Sequence, residues 1–139
     1  MHLPNLDEVV WSYFGTPRAK EWGITRMAED TVKLQAGDLV VDIGCNDGTL
    51  LKSYQKPGLK ILGIDPATNV LEYARANGVP VINDFFSAAR VRATVPDAKP
   101  KIITSIAMFY DLENPHLFVR DIKESLHAEG IWVLELSYL

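Results

Sequence analysis

Val40-Val41-Asp42-Ile43-Gly44-Cys45-Asn46-Asp47-Gly48 decides how this chain is read. A β-branched run ends on a carboxylate, two glycines follow, and the helix-compatible Thr49-Leu50-Leu51 comes next. That order predicts a strand, a tight loop and a helix. Gly44 and Gly48 admit backbone torsions and close ligand approaches that a side chain obstructs.

Outward from this segment, apolar runs too short for helices occupy residues 39–43, 60–64, 79–82, 101–107 and 131–136, and all five read as strands. Helical spacing fills the gaps at 48–54, 67–76, 85–93 and 115–126. A longer helix is expected over about 18–34, after the Gly15-Thr16-Pro17 break, placing Tyr13 and Phe14 near the entrance of a site. Alternating strands and helices imply parallel pairing and a doubly wound, Rossmann-like α/β sheet with ligands beyond the carboxyl ends of the strands.

The chain has 139 residues, 47% of them hydrophobic, which suits one domain: a helical segment over about 1–36 and a core over about 37–139. A net charge of -4, a pI near 5.3 and scattered basic residues give no footprint for nucleic acid or an anionic membrane, so a small-molecule ligand is expected. Cys45 stands alone, which excludes an intrachain disulfide and any zinc spacing; no metal is expected. Neither a signal sequence nor a membrane-length apolar run is visible, so the reading is of a soluble, cytoplasmic protein.

A dinucleotide-binding loop prefers Gly-x-Gly-x-x-Gly, because the following helix N-terminus holds a pyrophosphate. Here the pattern is Asp-x-Gly-x-Asn-x-Gly, with carboxylates at Asp42 and Asp47. Such carboxylates disfavour a pyrophosphate and attract a ligand bearing an ammonium and a sulfonium, which points to S-adenosylmethionine and away from NAD.

Asp65 follows Gly44 by 21 positions, where an acidic residue meets ribose hydroxyls in nucleotide-binding βαβ units. After the third strand, Asp84 can accept from an adenine amino group and Phe85 can cover the ring. Cys45, Pro66 and Ser105 complete the candidate cofactor-binding set.

Beyond the fourth strand, Tyr110 or Asp111 could orient an acceptor or serve as a base; core packing by Phe109 and helix capping by Asp111 or Asn114 are the competing readings. Glu135 and Tyr138 stand at the end of the fifth strand and could reach the same side. His116 and His127 fall near the ends of one helix, where solvent or the helix dipole accounts for them.

The segments Asp42-Ile43-Gly44-Cys45-Asn46-Asp47-Gly48-Thr49-Leu50-Leu51 and Gly63-Ile64-Asp65-Pro66-Ala67 resemble class I methyltransferases. With Gly130-Ile131-Trp132-Val133-Leu134-Glu135-Leu136-Ser137-Tyr138-Leu139, the chain is most similar to C-methyltransferases of nucleotide-linked deoxysugars. The resemblance implies that Asp42, Gly44, Asn46 and Gly48 hold the methionyl half of S-adenosylmethionine, Asp65 the ribose, and Asp84 with Phe85 the adenine. S-adenosylhomocysteine (SAH) is then the product.

The sugar enzymes look like longer chains, with a cysteine-rich zinc segment before this domain and catalytic His and Tyr after it. The usual reversed C-terminal hairpin is also missing, so the reading is of a shortened domain whose fifth strand is an open edge able to pair with a second copy. Methyl transfer to a small acceptor is the leading expectation. The alternative is a cofactor-binding module without turnover. A dehydrogenase is disfavoured, because the loop lacks its third glycine and no Tyr-x-x-x-Lys pair is present.

Overall fold

The structure, a computed structural model, describes residues 17–106 and 113–135, with side chains described from residue 23 onward. Its strands are β1 (Leu39–Ile43), β2 (Lys60–Ile64), β3 (Val81–Ile82), β4 (Pro100–Ile106) and β5 (Ile131–Glu135). They form one sheet of order β3-β2-β1-β4-β5, with all pairs parallel. The helices are α1 (Pro17–Val32), α2 (Thr49–Lys52), α3 (Thr68–Ala76), α4 (Ala88–Thr94) and α5 (Pro115–Ser125).

Every residue of β1 is buried, because the strand is central and covered on both faces. Val40 belongs to a cluster with Ala28 and Leu34, with Leu51, with Leu71 and Ala74, and with Ile102. Leu39, Val41 and Ile43 point the other way, into a cluster with Val91, Ile103, Phe118 and Ile122. Thus α1, α2 and α3 cover one face of the sheet and α4 and α5 the other. The change of face is the consequence of right-handed crossovers on either side of β1, and the strand order reverses between β1 and β4.

The expected elements all occur, with three differences that have physical causes. Expected over 79–82, β3 pairs only at Val81 and Ile82. Pro80 has no N–H to give a ladder, and its carbonyl instead accepts from the Gly63 amide at 2.9 Å. Expected over 48–54, α2 is a single turn ending at Ser53. The helix expected from residue 85 starts three residues later, where the Ser87 hydroxyl caps it by accepting from the Arg90 amide at 3.2 Å.

The β1–β4 register shifts between Leu39 and Val40, pairing Leu39 with Pro100 but Val40 with Ile102. That one-residue shift sets Thr104 beside Asp42 and Ser105 beside Ile43. Among the described residues, no helix is long and apolar enough to cross a membrane.

Candidate cofactor site

Asp42 is 4% exposed, and a carboxylate so buried needs partners. Thr104, fully buried, donates its hydroxyl to Asp42 Oδ1 at 2.6 Å across the β1–β4 pair. A polar residue inside the run Ile102-Ile103-Thr104-Ser105-Ile106 was the sequence signal for this partner.

Beyond Ile43 the chain turns through three left-handed residues, Gly44 at φ 73°, Asn46 at φ 53° and Gly48 at φ 83°. Glycine relieves the strain at the first and last, and asparagine tolerates it at the middle. Gly48 has a second reason to lack a side chain: a Cβ there would lie 2.9 Å from Val79 Cγ2. Gly48 is buried, so it seats the loop against the core beneath it.

Five amides of the loop and the turn after it are engaged within the protein. Gly44 and Cys45 donate to the Ile64 carbonyl at 2.7 and 3.2 Å, and Gly48 donates to the Cys45 carbonyl at 2.9 Å. Asn46 donates to Asp65 Oδ2 at 3.0 Å. Asp47 Oδ1 accepts from the Thr49 amide at 3.0 Å and from its hydroxyl at 2.6 Å, so this carboxylate caps α2. A pyrophosphate would find the amides of Gly44, Cys45, Asn46, Gly48 and Thr49 committed elsewhere.

Asp65, at the end of β2, is half-buried. Its Oδ2 takes the Asn46 amide and its Oδ1 the Ala67 amide, the latter at 2.9 Å. A carboxylate offers about four acceptor positions, so two bonds leave room for a vicinal diol. Pro66 is exposed, and its carbonyl and that of Asp65 accept from Asn83 Nδ2 at 3.3 and 3.2 Å. Asn83 therefore ties the β3 end to the β2 end, a role with no separate mark in the sequence.

The next residues open outward. Phe85 is 73% exposed, whereas Phe86 packs edge-on against Phe118 with centroids 5.4 Å apart. Asp84 Oδ1 accepts from the Phe85 amide at 2.7 Å and Oδ2 pairs with Arg90 at 2.6 Å.

Cys45 is buried, its side chain lying over Gly63, where an added Cβ would come within 2.5 Å of Sγ. Burial first, then the Asp42 and Asp65 carboxylates, push its thiol up to about 12, so it is protonated and no nucleophile. Burial, with Asp42 and Glu29 next, likewise pushes the Tyr54 hydroxyl far above the usual phenol range.

Ser105 is not brought to the rim. It is fully buried, shares the face of Ile43 rather than that of Asp42, and accepts from the Trp132 indole at 2.8 Å. Asn114 caps α5 by accepting from the Leu117 amide at 3.1 Å, and His127 Nδ1 accepts from the Glu129 amide at 3.0 Å. Tyr110, Asp111, Tyr138, Tyr13 and Phe14 lie outside the described residues.

Gly44, Asn46, Asp65, Pro66, Asp84 and Phe85 thus line the carboxyl edge of β1, β2 and β3, with Asp42, Cys45 and Gly48 just beneath. An all-parallel sheet of this order, with this loop after β1 and a carboxylate at the end of β2, defines a Rossmann-like cofactor domain. Residues 17–138 match the family described as methyltransferase domain, and the chain belongs to that family.

The chain is 26% identical over 111 residues to the C-methyltransferase NovU of Streptomyces niveus, spanning 79% of this chain and 26% of that protein. It is 29% identical over 105 residues to the ubiquinone biosynthesis O-methyltransferase of Glaesserella parasuis, spanning 68% of this chain and 43% of that one. The plantazolicin methyltransferase BpumL, solved in complex with SAH, superposes with a TM-score of 0.69 at 20% identity, covering 96% of this chain and 54% of that chain. The chain therefore spans about half the length of these relatives or less, and the structural likeness carries the fold.

Proposed function

We propose that this domain binds S-adenosylmethionine and takes part in methyl transfer to a small-molecule acceptor. One observation carries the reading: the half-buried Asp65 carboxylate keeps acceptor positions for a vicinal diol at the rim, beside a loop in which the Gly44, Cys45, Asn46 and Gly48 amides already bond within the protein. The donor set suits an adenosyl ligand with a cationic amino-acid end. The named relatives are methyltransferases, and BpumL was solved with SAH.

In this reading the loop from Gly44 to Gly48, with Cys45 and Asn46 and with Asp42 behind it, holds the methionyl half. Asp65 and Pro66 take the ribose, and Asp84 and Phe85 the adenine. The sulfonium of the cofactor supplies an activated methyl group. The protein has to bind, orient an acceptor in line with that group and exclude water. Tyr110 and Asp111 are the candidates for orienting the acceptor or removing its proton. The acidic net charge favours a small acceptor over a nucleic acid. The carbon of a nucleotide-linked sugar is the particular acceptor class proposed, through the likeness to NovU.

The outer edge of β5 is read as a pairing edge for a second copy; a monomeric mass by light scattering at high concentration removes that reading. Turnover is tested by following SAH release with nucleotide-linked deoxysugars and small phenols as acceptors. Release with an acceptor supports methyl transfer. Tight cofactor binding with no release across both sets favours a binding module that needs further elements for chemistry.

A further inference from the structure

The turn that follows the glycine-rich loop is held from a distance. At four residues, α2 is too short to persist by itself, so both its ends need outside partners. Asp47 supplies one at the start. The other end is held by α1, from residues 26 to 28 positions away in sequence.

Arg26 donates through Nη2 to the Ser53 carbonyl and through Nη1 to Glu29 Oε2. Glu29 Oε1 accepts from the Gln55 amide at 2.7 Å and from the Lys56 amide at 3.2 Å. Thr25, fully buried, shares a 2.9 Å hydrogen bond with the Ser53 hydroxyl, which itself donates to the Leu50 carbonyl at 2.6 Å. The Arg26 and Glu29 side chains are only 18% and 13% exposed, so solvent weakens this bracket little.

We propose that Arg26 and Glu29 are positioning residues for the glycine-rich loop, and through it for the amino-acid half of the cofactor. The proposal rests on the S-adenosylmethionine reading above. Its consequence is an asymmetry. Removing Glu29 strips the acceptor from the Gln55 and Lys56 amides just beyond α2 and the counter-charge from the Arg26 that holds Ser53, and so loosens the far end of α2 against α1. The ends of β2 and β3, which would hold the nucleoside, make none of these contacts.

The test compares SAH with methylthioadenosine, which keeps the nucleoside and thioether and lacks the amino acid. Calorimetric titrations of the whole chain, its Glu29→Ala and its Glu29→Gln variants measure both ligands, alongside thermal melts. We expect Glu29→Ala to weaken SAH about tenfold and to leave methylthioadenosine within about twofold, with Glu29→Gln between.

Unchanged SAH affinity in a folded Glu29→Ala variant, or equal losses for both ligands, overturns the proposal. If that variant does not fold, Glu29→Gln and Arg26→Lys carry the same comparison. If the unaltered chain binds no SAH, the functional reading fails. The bracket is then judged by hydrogen exchange over residues 49–53, which Glu29→Ala must accelerate.

Discussion

The rim at the ends of β1 and β2 and the rim at the end of β3 lie along the same edge of the sheet but are built differently. At the first, three left-handed residues, a buried carboxylate and Asp65 are bound to one another and to the strand ends, and Gly48 and Gly63 leave room only for their neighbours. At the second, an exposed phenylalanine and a surface ion pair project from a loop anchored through Asn83 and Phe86. A side chain added at Gly48 or Gly63 in the first rim meets the core, whereas Phe85 of the second projects away from it.

The largest expected effect therefore falls on stability at the first rim. Gly48→Ala combines a left-handed torsion with a 2.9 Å approach to Val79, and should cost about 3 kcal/mol in chemical denaturation. A loss within about 0.5 kcal/mol of zero would mean that the loop adapts freely and the contrast is false.

Asp65→Ala should act on binding. We expect SAH affinity to fall by about 2–3 kcal/mol, on the scale of charge-assisted hydrogen bonds, while the sheet stays folded by circular dichroism. Unaltered affinity removes the ribose assignment.

Phe85→Ala should weaken SAH by about 1 kcal/mol through lost ring contact, with stability changed by less than about 0.5 kcal/mol. A large stability loss would show that the second rim is as tightly built as the first.

The smallest effect is expected at Cys45, which should resist iodoacetamide at pH 8 in the native state and react on unfolding. The sign of its pH effect follows from the raised pKa. The unfolded thiol loses its proton near 9.0 and the folded one near 12, so its contribution is complete below pH 9.0 and is lost as pH rises towards 12. Melting temperatures of the chain and of Cys45→Ala that fall in parallel over that range would contradict this.

The dense rim was also the more legible one in the sequence. Asp42, Gly44, Gly48 and Asp65 stand out because glycines and carboxylates at strand ends are local features, and the five strands were readable from short apolar runs. What escaped depends on neighbours distant along the chain. Glu29 and Arg26 look like ordinary helix-surface charges until Ser53, Gln55 and Lys56 are set beside them. Ser105 looked available because nothing in the sequence reveals the register shift that turns it towards Trp132. That the Asp47 carboxylate also accepts from the Thr49 amide and hydroxyl at the start of α2 is a matter of local geometry.

Calorimetric titration of the folded chain with SAH, against NAD as control, tests the central claim most directly. Saturable binding of SAH and none of NAD is the expected result. Binding of NAD, or no binding of SAH by a chain that is folded by circular dichroism, would contradict it.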